Sequence, residues 1–246
     1  MISTPDVLLV GGDGYIGSNC PFKCDKSDIK SGTDFREVEI DERYGSIIFL
    51  AAAKPDVEQT LQDYLYNEAL YDRLDEWLRE YPETQVIFAS SAAVYGDTTQ
   101  PSKESDYLTP IGFYGRSKLA GEYRVREYMH HTVFRFGNVY GKLEGLEGRG
   151  VTEIFMNGGN KIYGDGSQVR DFVHMTYIWS AIMAAIEYPV IWRGVTNIGT
   201  GEGTTVNDWF KKFGEGEPEY LPARDVDVSY SVLDNTKMIR RLEACV

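Results

Sequence analysis

The stretch Val7–Gly17, VLLVGGDGYIG, decides the fold, because an apolar run passes directly into a glycine-rich turn. A continuous apolar run such as Val7–Val10 is typical of a strand buried on both faces of a parallel sheet. The glycines at 11, 14 and 17 permit a tight turn, close approach of the backbone to a pyrophosphate and close packing against the sheet. Tight turns also need glycine, so it is the position after a buried strand that favours dinucleotide binding.

Apolar runs and helical patterns alternate along the rest of the chain. Strand-like runs occur at 47–50, 86–89, 132–136 and 195–198, and helical spacing covers 57–81, 114–130 and 175–188. This alternation predicts an α/β protein with a Rossmann-type, doubly wound parallel sheet. The stretches that interrupt the alternation predict a small, discontinuous substrate-binding cap. We therefore expect 1–141 and 169–201 to form the dinucleotide-binding domain, and 142–168 and 202–246 to form the cap.

Composition narrows the classes of partner. The 246 residues are 42% hydrophobic and carry a net charge of −13, which argues against binding nucleic acid or an anionic membrane through bulk charge. No apolar run approaches the roughly 20 residues of a membrane span, and the N-terminal stretch does not resemble a secretory signal. The three cysteines predict reduced thiols, a cytoplasmic location and no metal site, while Cys20 and Cys24 could still supply two ligands or a loop disulfide.

Two further motifs carry chemistry. Tyr114 and Lys118 are four residues apart on a predicted helix, so both side chains can enter one pocket. A nearby cation favours phenolate and lowers the pKa of tyrosine, which makes it a usable general base. Ser90 and Ser91 follow a buried strand, where parallel sheets bind their ligands. Taken alone, the tyrosine and lysine could be a surface pair, and the serines could cap local backbone.

In this order, the motifs resemble the extended short-chain dehydrogenases/reductases, specifically the NAD-dependent epimerase/dehydratase family. The stretches that match are the glycine turn, Leu50–Ala52, Ser90–Gly96, Tyr114–Lys118, Phe134–Gly141, Ile162–His174 and Asn197–Gly201. Dehydratases of the family have an acidic pair after the active serine, where this chain has Ala92 and Ala93. The pattern here resembles nucleotide-sugar 4-epimerases of the UDP-glucose/UDP-galactose type.

The resemblance implies a mechanism with tightly bound NAD. Tyr114 removes the proton of the sugar 4-hydroxyl while hydride passes to NAD, and the hydride later returns to the opposite face of the sugar. The implied catalytic residues are Ser91, Tyr114 and Lys118. The implied cofactor residues are Gly11, Gly14, Tyr15, Ile16, Gly17, Asp34, Phe35, Leu50, Ala51, Ala52, Lys54, Asn67, Ser90, Tyr114 and Lys118. The implied substrate residues are Ser91, Phe136, Asn138, Arg170 and Arg224.

The chain departs from this family between Gly17 and Asp34, where relatives hold a full helix, a second strand and another helix. Pro21 should end the first helix early. In relatives, an acidic residue on the second strand meets the adenosine ribose, and this strand is expected to be lost here. Asp25 is the expected substitute acid. The choice of NAD over NADP is therefore implied by the family alone. An NAD(P)H-dependent 4-keto-sugar reductase and a catalytically silent dinucleotide-binding regulator therefore stay open as alternatives.

The resemblance also implies a homodimer. In relatives, the helices that match 57–81 and 114–130 pair across a twofold axis, and Tyr64, Tyr71 and Tyr128 are the expected contact residues.

Overall fold

The computed structural model describes residues 6–39, 44–53, 60–141, 143 and 160–245. The strands in chain order are β1 (Val7–Val10), β2 (Asp25–Ser27), β3 (Ser46–Phe49), β4 (Gln85–Ser91), β5 (His131–Phe136), β6 (Asn138–Tyr140), β7 (Lys161–Tyr163), β8 (Val169–Arg170), β9 (Phe172–His174), β10 (Gly194–Ile198), β11 (Thr204–Thr205), β12 (Glu219–Leu221) and β13 (Tyr230–Ser231). The helices are α1 (Leu61–Glu80), α2 (Phe113–Val125), α3 (Met175–Glu187), α4 (Pro189–Trp192), α5 (Val206–Phe213) and α6 (Thr236–Glu243).

The main sheet has six parallel strands in the order β10-β5-β4-β3-β1-β2. The chain moves outward from β1 to β2 and then crosses back to β3 on the other side of β1. This reversal creates a switch point between β1 and β3, and open α/β sheets bind ligands beyond the carboxyl ends of their strands at such a point. The predicted doubly wound sheet is confirmed.

Apolar layers cover both faces of the sheet. Val7 and Leu9 pack with residues of α3, whereas Leu8 and Val10 pack with residues of α1. Successive residues of a strand point to opposite faces, so a strand between two helix layers must be apolar at every position. The five strands predicted from apolar runs are all present in this sheet.

The helices agree with the predicted positions, with some changes at their ends. Thr60 begins α1 through a capping box with Asp63, and residues 54–59 lie outside the described part of the chain. Helix α2 ends at Val125 rather than continuing to residue 130. Tyr71 of α1 is 1% exposed and packs in the core, so its predicted role as a dimer contact is wrong.

The segment from β1 to β2 agrees with the prediction for its helix but not for its strand. As expected, the helix after the glycine turn is stunted, because a single 3₁₀ turn at Gly17–Asn19 gives way to extended backbone at Cys20, before Pro21. That geometry follows from the preference of a residue before proline for extended backbone. The expected loss of the ribose-side strand is wrong, since β2 is present and pairs in parallel with β1.

Smaller sheets lie beside the main one. Strand β8 pairs with β11 and β13, β7 pairs with β12, and β6 pairs with β9. Trp209 of α5 stacks on Phe172, with ring centroids 3.9 Å apart. Helix α6, which lies within the predicted cap boundary, instead packs its Met238 into the core cluster beside α3. Of the predicted cap, residues 142, 144–159 and 246 lie outside the described residues. In the part of the chain that is described, no helix combines the length and apolarity that crossing a membrane requires.

Candidate active site

A cleft of about 960 Å³ runs along the carboxyl edge of the main sheet, across the switch point. The ends of β1, β2, β3, β4 and β5 and the N-terminal half of α2 all contribute to its lining. The predicted cofactor residues that line it are Gly11, Gly14, Tyr15, Ile16, Gly17, Asp34, Phe35, Leu50, Ala51, Ala52, Ser90, Tyr114 and Lys118. The predicted substrate residues Ser91, Phe136, Asn138, Arg170 and Arg224 line it as well.

The glycine turn has no space for side chains at two of its three motif positions. Gly11 has φ +87°, and a Cβ there would lie 2.7 Å from the backbone nitrogen of Ala51. A Cβ on Gly17 would lie 2.2 Å from the carbonyl oxygen of Gly11. Glycine is therefore required for the chain to fold back on itself here, and the turn leaves bare backbone facing the cleft. Such a surface accommodates the pyrophosphate of a dinucleotide.

Sequence reasoning placed the ribose-side acid incorrectly. The carboxylate of Asp25 accepts a hydrogen bond from the hydroxyl of Tyr44 at 2.6 Å, and Asp25 does not line the cleft. Asp28 does line it, directly after β2. The carboxylate of Asp28 accepts the backbone N–H groups of Asp13, at 3.0 Å, and of Lys30, at 2.9 Å. Asp28 is thus anchored to the glycine turn and presents a carboxylate to the cleft directly after β2.

Ser91 and Tyr114 meet inside the cleft. Ser91 lies at the end of β4, where its hydroxyl also accepts the backbone N–H of Ala93 at 3.2 Å. Tyr114 lies in the first turn of α2, and its side chain and that of Ser91 both line the cleft. Lys118 is buried one turn further along α2 and donates to the carbonyl oxygen of Ala89 at 2.8 Å. Its ammonium lies 5.9 Å from the centre of the Tyr114 ring. The three predicted catalytic side chains therefore converge.

The electrostatics at this point differ from the expectation. Burial raises the pKa of Tyr114 above its ordinary value, and the Ser91 hydrogen bond opposes that rise only in part. The expected lowering of the Tyr114 pKa by Lys118 is therefore not seen. Burial also lowers the pKa of Lys118 to about 7, with Glu122 acting in the opposite direction. Desolvation outweighs the opposing influence at each residue, which is the Ser91 side chain for Tyr114 and the charge of Glu122 for Lys118.

A buried ion pair supports the helix that carries these groups. Arg135 of β5 donates to both carboxylate oxygens of Glu122, at 2.9 Å and 2.6 Å, and the two side chains are 1% and 0% exposed. Ser90 donates its hydroxyl to Glu122. Arg135 also donates to the hydroxyl of Tyr95 at 2.8 Å. Sequence reasoning missed this network, although Glu122 is spaced four residues from Lys118.

Two of the predicted substrate residues are arginines that line the cleft. Arg224 donates twice to the carboxylate of Asp227, at 2.9 Å and 2.6 Å, which raises the pKa of Arg224. Arg170 donates from Nη1 to the carbonyl of Val169 at 2.9 Å. Burial lowers the pKa of Arg170, the negative charge of Asp227 opposes that shift, and the positive charge of Arg224 adds to it. A desolvated guanidinium beside a second one is stabilised by an anionic ligand.

Some predicted cofactor residues have other partners. Asn67 is buried below the cleft, where it accepts from the backbone nitrogen of Ala53 at 2.7 Å and donates to the hydroxyl of Ser117 at 3.0 Å. It therefore ties the loop after β3 to α2 rather than lining the cleft. Asp34 lines the cleft, but its carboxylate is held by Arg36, which lowers the pKa of Asp34. Lys54 lies outside the described residues.

A parallel sheet with a glycine turn at its switch point and a converging serine, tyrosine and lysine defines a nucleotide-binding enzyme of the short-chain dehydrogenase/reductase class. The chain belongs to the NAD dependent epimerase/dehydratase family, whose sequence profile matches residues 19–199. The match covers most of the chain and confirms the resemblance predicted from the motifs. The cofactor of this family is NAD, and the bare glycine turn, Asp28 and the volume of the cleft suit a dinucleotide.

Individual relatives align over almost the whole chain. A Methanocaldococcus jannaschii protein named "Putative UDP-glucose 4-epimerase" is 29% identical, over 94% of this chain and 90% of its own length. The crystal structure of a Thermotoga maritima UDP-glucose 4-epimerase with UDP-glucose is 30% identical, with a TM-score of 0.74 and coverage of 95% of this chain and 91% of that one. The structure of MoeE5 with UDP-glucuronic acid and NAD is 26% identical, with a TM-score of 0.80 and coverage of 97% and 92%.

Proposed function

We propose that this chain is an NAD-dependent nucleotide-sugar 4-epimerase of the UDP-glucose/UDP-galactose type. The observation that carries the proposal is the convergence of Ser91 and Tyr114 on one cleft, with Lys118 buried one turn further along the same helix. The two residues after Ser91, Ala92 and Ala93, also line the cleft. Neither has a carboxylate, so the position that eliminates water in the dehydratases has no acid or base here.

In the proposed reaction, the chain's own residues bind the oxygen of the sugar 4-hydroxyl and transfer its proton. The chemistry that NAD supplies in this family is the reversible uptake of a hydride, here from C4 of the sugar. Tyr114 takes the proton of the 4-hydroxyl and gives it back when the sugar is reduced again. Ser91 hydrogen bonds with the same oxygen, and a positive charge on Lys118 favours the phenolate form of Tyr114. Glu122 favours that charge by opposing the desolvation of Lys118.

The nucleotide diphosphate would lie at the substrate half of the cleft. Arg170 is half-buried, lines the cleft and gains from a nearby anion, because partial burial disfavours its charge. Arg224 already holds Asp227, so a diphosphate would share or displace that carboxylate. Phe136 ends β5, Asn138 begins β6, and both complete the proposed substrate surface. Residue by residue, these roles are proposals supported by position and charge.

Asp28 favours the epimerase over an NADPH-dependent form of the reductase alternative. A carboxylate accepts hydrogen bonds from a ribose diol, whereas it repels the 2′-phosphate of NADPH. The present position of Asp28 therefore supports NAD as the cofactor. The catalytically silent regulator is disfavoured because dinucleotide binding needs no Tyr114–Ser91 pair in the cleft.

The proposal is tested by incubating the purified chain with UDP-galactose or UDP-glucose and an amount of NAD far below that of the sugar. An epimerase interconverts the two sugars to equilibrium without accumulating NADH. A reductase turns over only with NADPH and a 4-keto sugar, and a silent regulator turns over neither substrate. Tyr114→Phe should abolish interconversion yet still bind NAD, whereas Tyr123→Phe, on an exposed side chain of the same helix, should leave it unchanged. Full activity of Tyr114→Phe would contradict the assigned role.

We further propose a cytoplasmic homodimer formed through α1 and α2. These helices pack against each other and expose Leu61, Leu65 and Tyr123, each at least half exposed. Apolar side chains grouped on a helix pair are typical of an interface. Sedimentation equilibrium should give twice the chain mass, and Leu65→Glu should give the single-chain mass. A wild-type chain that stays monomeric at micromolar concentration would contradict the proposed dimer.

A further inference from the structure

Two cysteines lie close together beside the cofactor turn. Cys20 follows the 3₁₀ turn at Gly17–Asn19, and Cys24 precedes β2. Their Sγ atoms are 3.9 Å apart, and both side chains are half-buried rather than enclosed. Neither residue lines the cleft, and no step of the proposed reaction uses them. Cys245 lies elsewhere, with its Sγ 3.4 Å from the indole nitrogen of Trp192.

The two thiols are chemically unequal. A hydrogen bond from Cys24 lowers the pKa of Cys20 to about 7, and the positive charge of Lys26 acts in the same direction. The same interaction, together with burial, raises the pKa of Cys24. The thiolate is the nucleophile in thiol–disulfide exchange, and it reacts best when its pKa is near the ambient pH. Cys20 is therefore suited to attack first, and Cys24 is suited to resolve the product.

We infer that Cys20 and Cys24 form a reversible dithiol–disulfide site that reacts with small disulfides such as oxidised glutathione. The Cys20 thiolate attacks one sulfur of glutathione disulfide, which forms a mixed disulfide and releases one glutathione thiolate. The Cys24 thiol then loses its proton, attacks the Cys20 sulfur and releases the second glutathione. Two protein thiols are oxidised by two electrons, one glutathione disulfide is reduced to two thiols, and both protons end on glutathione.

The local structure allows the bond to close. A disulfide needs an S–S distance of about 2.05 Å, so the sulfurs must approach by nearly 2 Å from their present separation. The residues between them include the exposed Pro21 and Lys23, which belong to no strand or helix. This segment also begins at the glycine turn, because the backbone N–H of Cys20 donates to the carbonyl of Gly17 at 3.1 Å. The disulfide would thus lie directly next to the cofactor surface.

A metal site is a weaker interpretation of the same pair. Two thiolates supply half of a tetrahedral zinc site. Among the described residues, no group of three or more potential ligands is close enough to hold a metal ion. Redox chemistry needs only the two sulfurs that the structure brings together.

The test uses the full chain in buffers with defined ratios of oxidised to reduced glutathione, quenched with N-ethylmaleimide. Trypsin cleaves after Lys23, between the cysteines, so peptide 1–23 and peptide 24–26 stay together only if the disulfide has formed. We expect a loss of two hydrogen masses, this linked peptide pair, and full reversal by reduced glutathione. Cys245→Ser should behave identically, whereas Cys24→Ser should stop at a glutathione adduct on Cys20.

Three results would overturn the inference: a chain that keeps both thiols in excess oxidised glutathione, wild type that stops at the mixed disulfide, or a disulfide that involves Cys245. A second measurement guards against variants that fold poorly. In the wild-type chain, the rate of Cys20 alkylation should rise with pH around a midpoint near 7. These readouts involve neither sugar nor turnover, so they stand or fail independently of the epimerase assignment.

Discussion

Neutralising Glu122 should destabilise the protein far more than neutralising a glutamate on its surface. Glu122→Gln keeps the size of the side chain and its bond from Ser90, but it leaves the guanidinium of Arg135 without a counter-charge at 1% exposure. Removing one partner of a buried ion pair costs about 3–5 kcal/mol. Since domains of this kind unfold with about 5–15 kcal/mol, the loss is a large part of the total.

A double variant separates two contributions to the free energy of unfolding: the loss of the ion pair itself, and the cost of leaving one buried charge unpaired. Glu122→Gln combined with Arg135→Met removes both charges and keeps similar volumes, and such replacements are often near neutral. We therefore expect the double variant to be more stable than either single variant by about 2 kcal/mol or more. The hydroxyl of Tyr95 keeps a partner there, because it donates to Asn197 at 2.7 Å.

Urea unfolding at pH 7.5 provides the measurement, with Glu76→Gln as the matched control. Glu76 pairs with Arg73 at 2.9 Å, but it is 60% exposed. An exposed pair of this kind contributes at most about 1 kcal/mol. If Glu122→Gln lost no more stability than Glu76→Gln, or if the double variant were as unstable as Glu122→Gln, the buried pair would not have the energetic role described.

Three other changes probe the cofactor turn, the catalytic lysine and the ribose acid. Gly17→Ala should weaken NAD binding by about tenfold or more in calorimetry, because overpacking of the turn costs about 1–3 kcal/mol. Gly45→Ala is the control and should bind NAD normally, since a Cβ on Gly45 would enter open space. Between pH 7 and 9 the unfolded chain holds a proton on Lys118 that the folded chain has lost, since the folded pKa is about 7. The unfolding free energy of wild type should therefore rise with pH, by up to about 1.4 kcal/mol per unit, relative to Lys118→Met; equal slopes in urea titrations would contradict this. Asp28→Asn should reduce the preference for NAD over NADP, and an unchanged ratio of dissociation constants would exclude Asp28 from ribose binding.

The parts of the fold that were predictable are those whose energy comes from burial. Val7–Val10 and the other apolar runs form central strands, where both faces must be covered, so sequence alone reveals them. The convergence of Tyr114 and Lys118 with Ser91 was predictable from two regularities. Residues four apart share a face of a helix, and the carboxyl ends of parallel strands lie at the same edge of the sheet. These regularities are properties of the backbone and do not depend on details of side-chain packing.

The features that sequence could not predict are the edge strand of the sheet and the pKa shifts that burial causes. Strand β2 has the sequence Asp25-Lys26-Ser27, two of whose residues are exposed, and an edge strand of three polar residues has no apolar pattern. Because that strand was missed, Asp28 was missed with it. A usable signal was present, since Asp28 starts a turn that ends at Gly32 with φ +83°. The pKa shifts of Tyr114 and Lys118 were also out of reach, because sequence gives the spacing of charges but not how much water surrounds them.

Among the described residues, the departure from the family pattern predicted between Gly17 and Asp34 lies at one side of the site. The segment 11–34 has a single 3₁₀ turn after the glycine turn, and residues at both of its ends line the side of the cleft that would hold pyrophosphate and ribose. Ser91, Tyr114 and Lys118 belong to β4 and α2, which are complete and are fixed by Asn67 and by the Glu122–Arg135 pair. Helix-end electrostatics act mainly within the first turn, so most of what is lost with the longer helix is packing rather than attraction for phosphate. The truncation should consequently alter how firmly the dinucleotide is held, while the geometry that moves the sugar's proton stays intact.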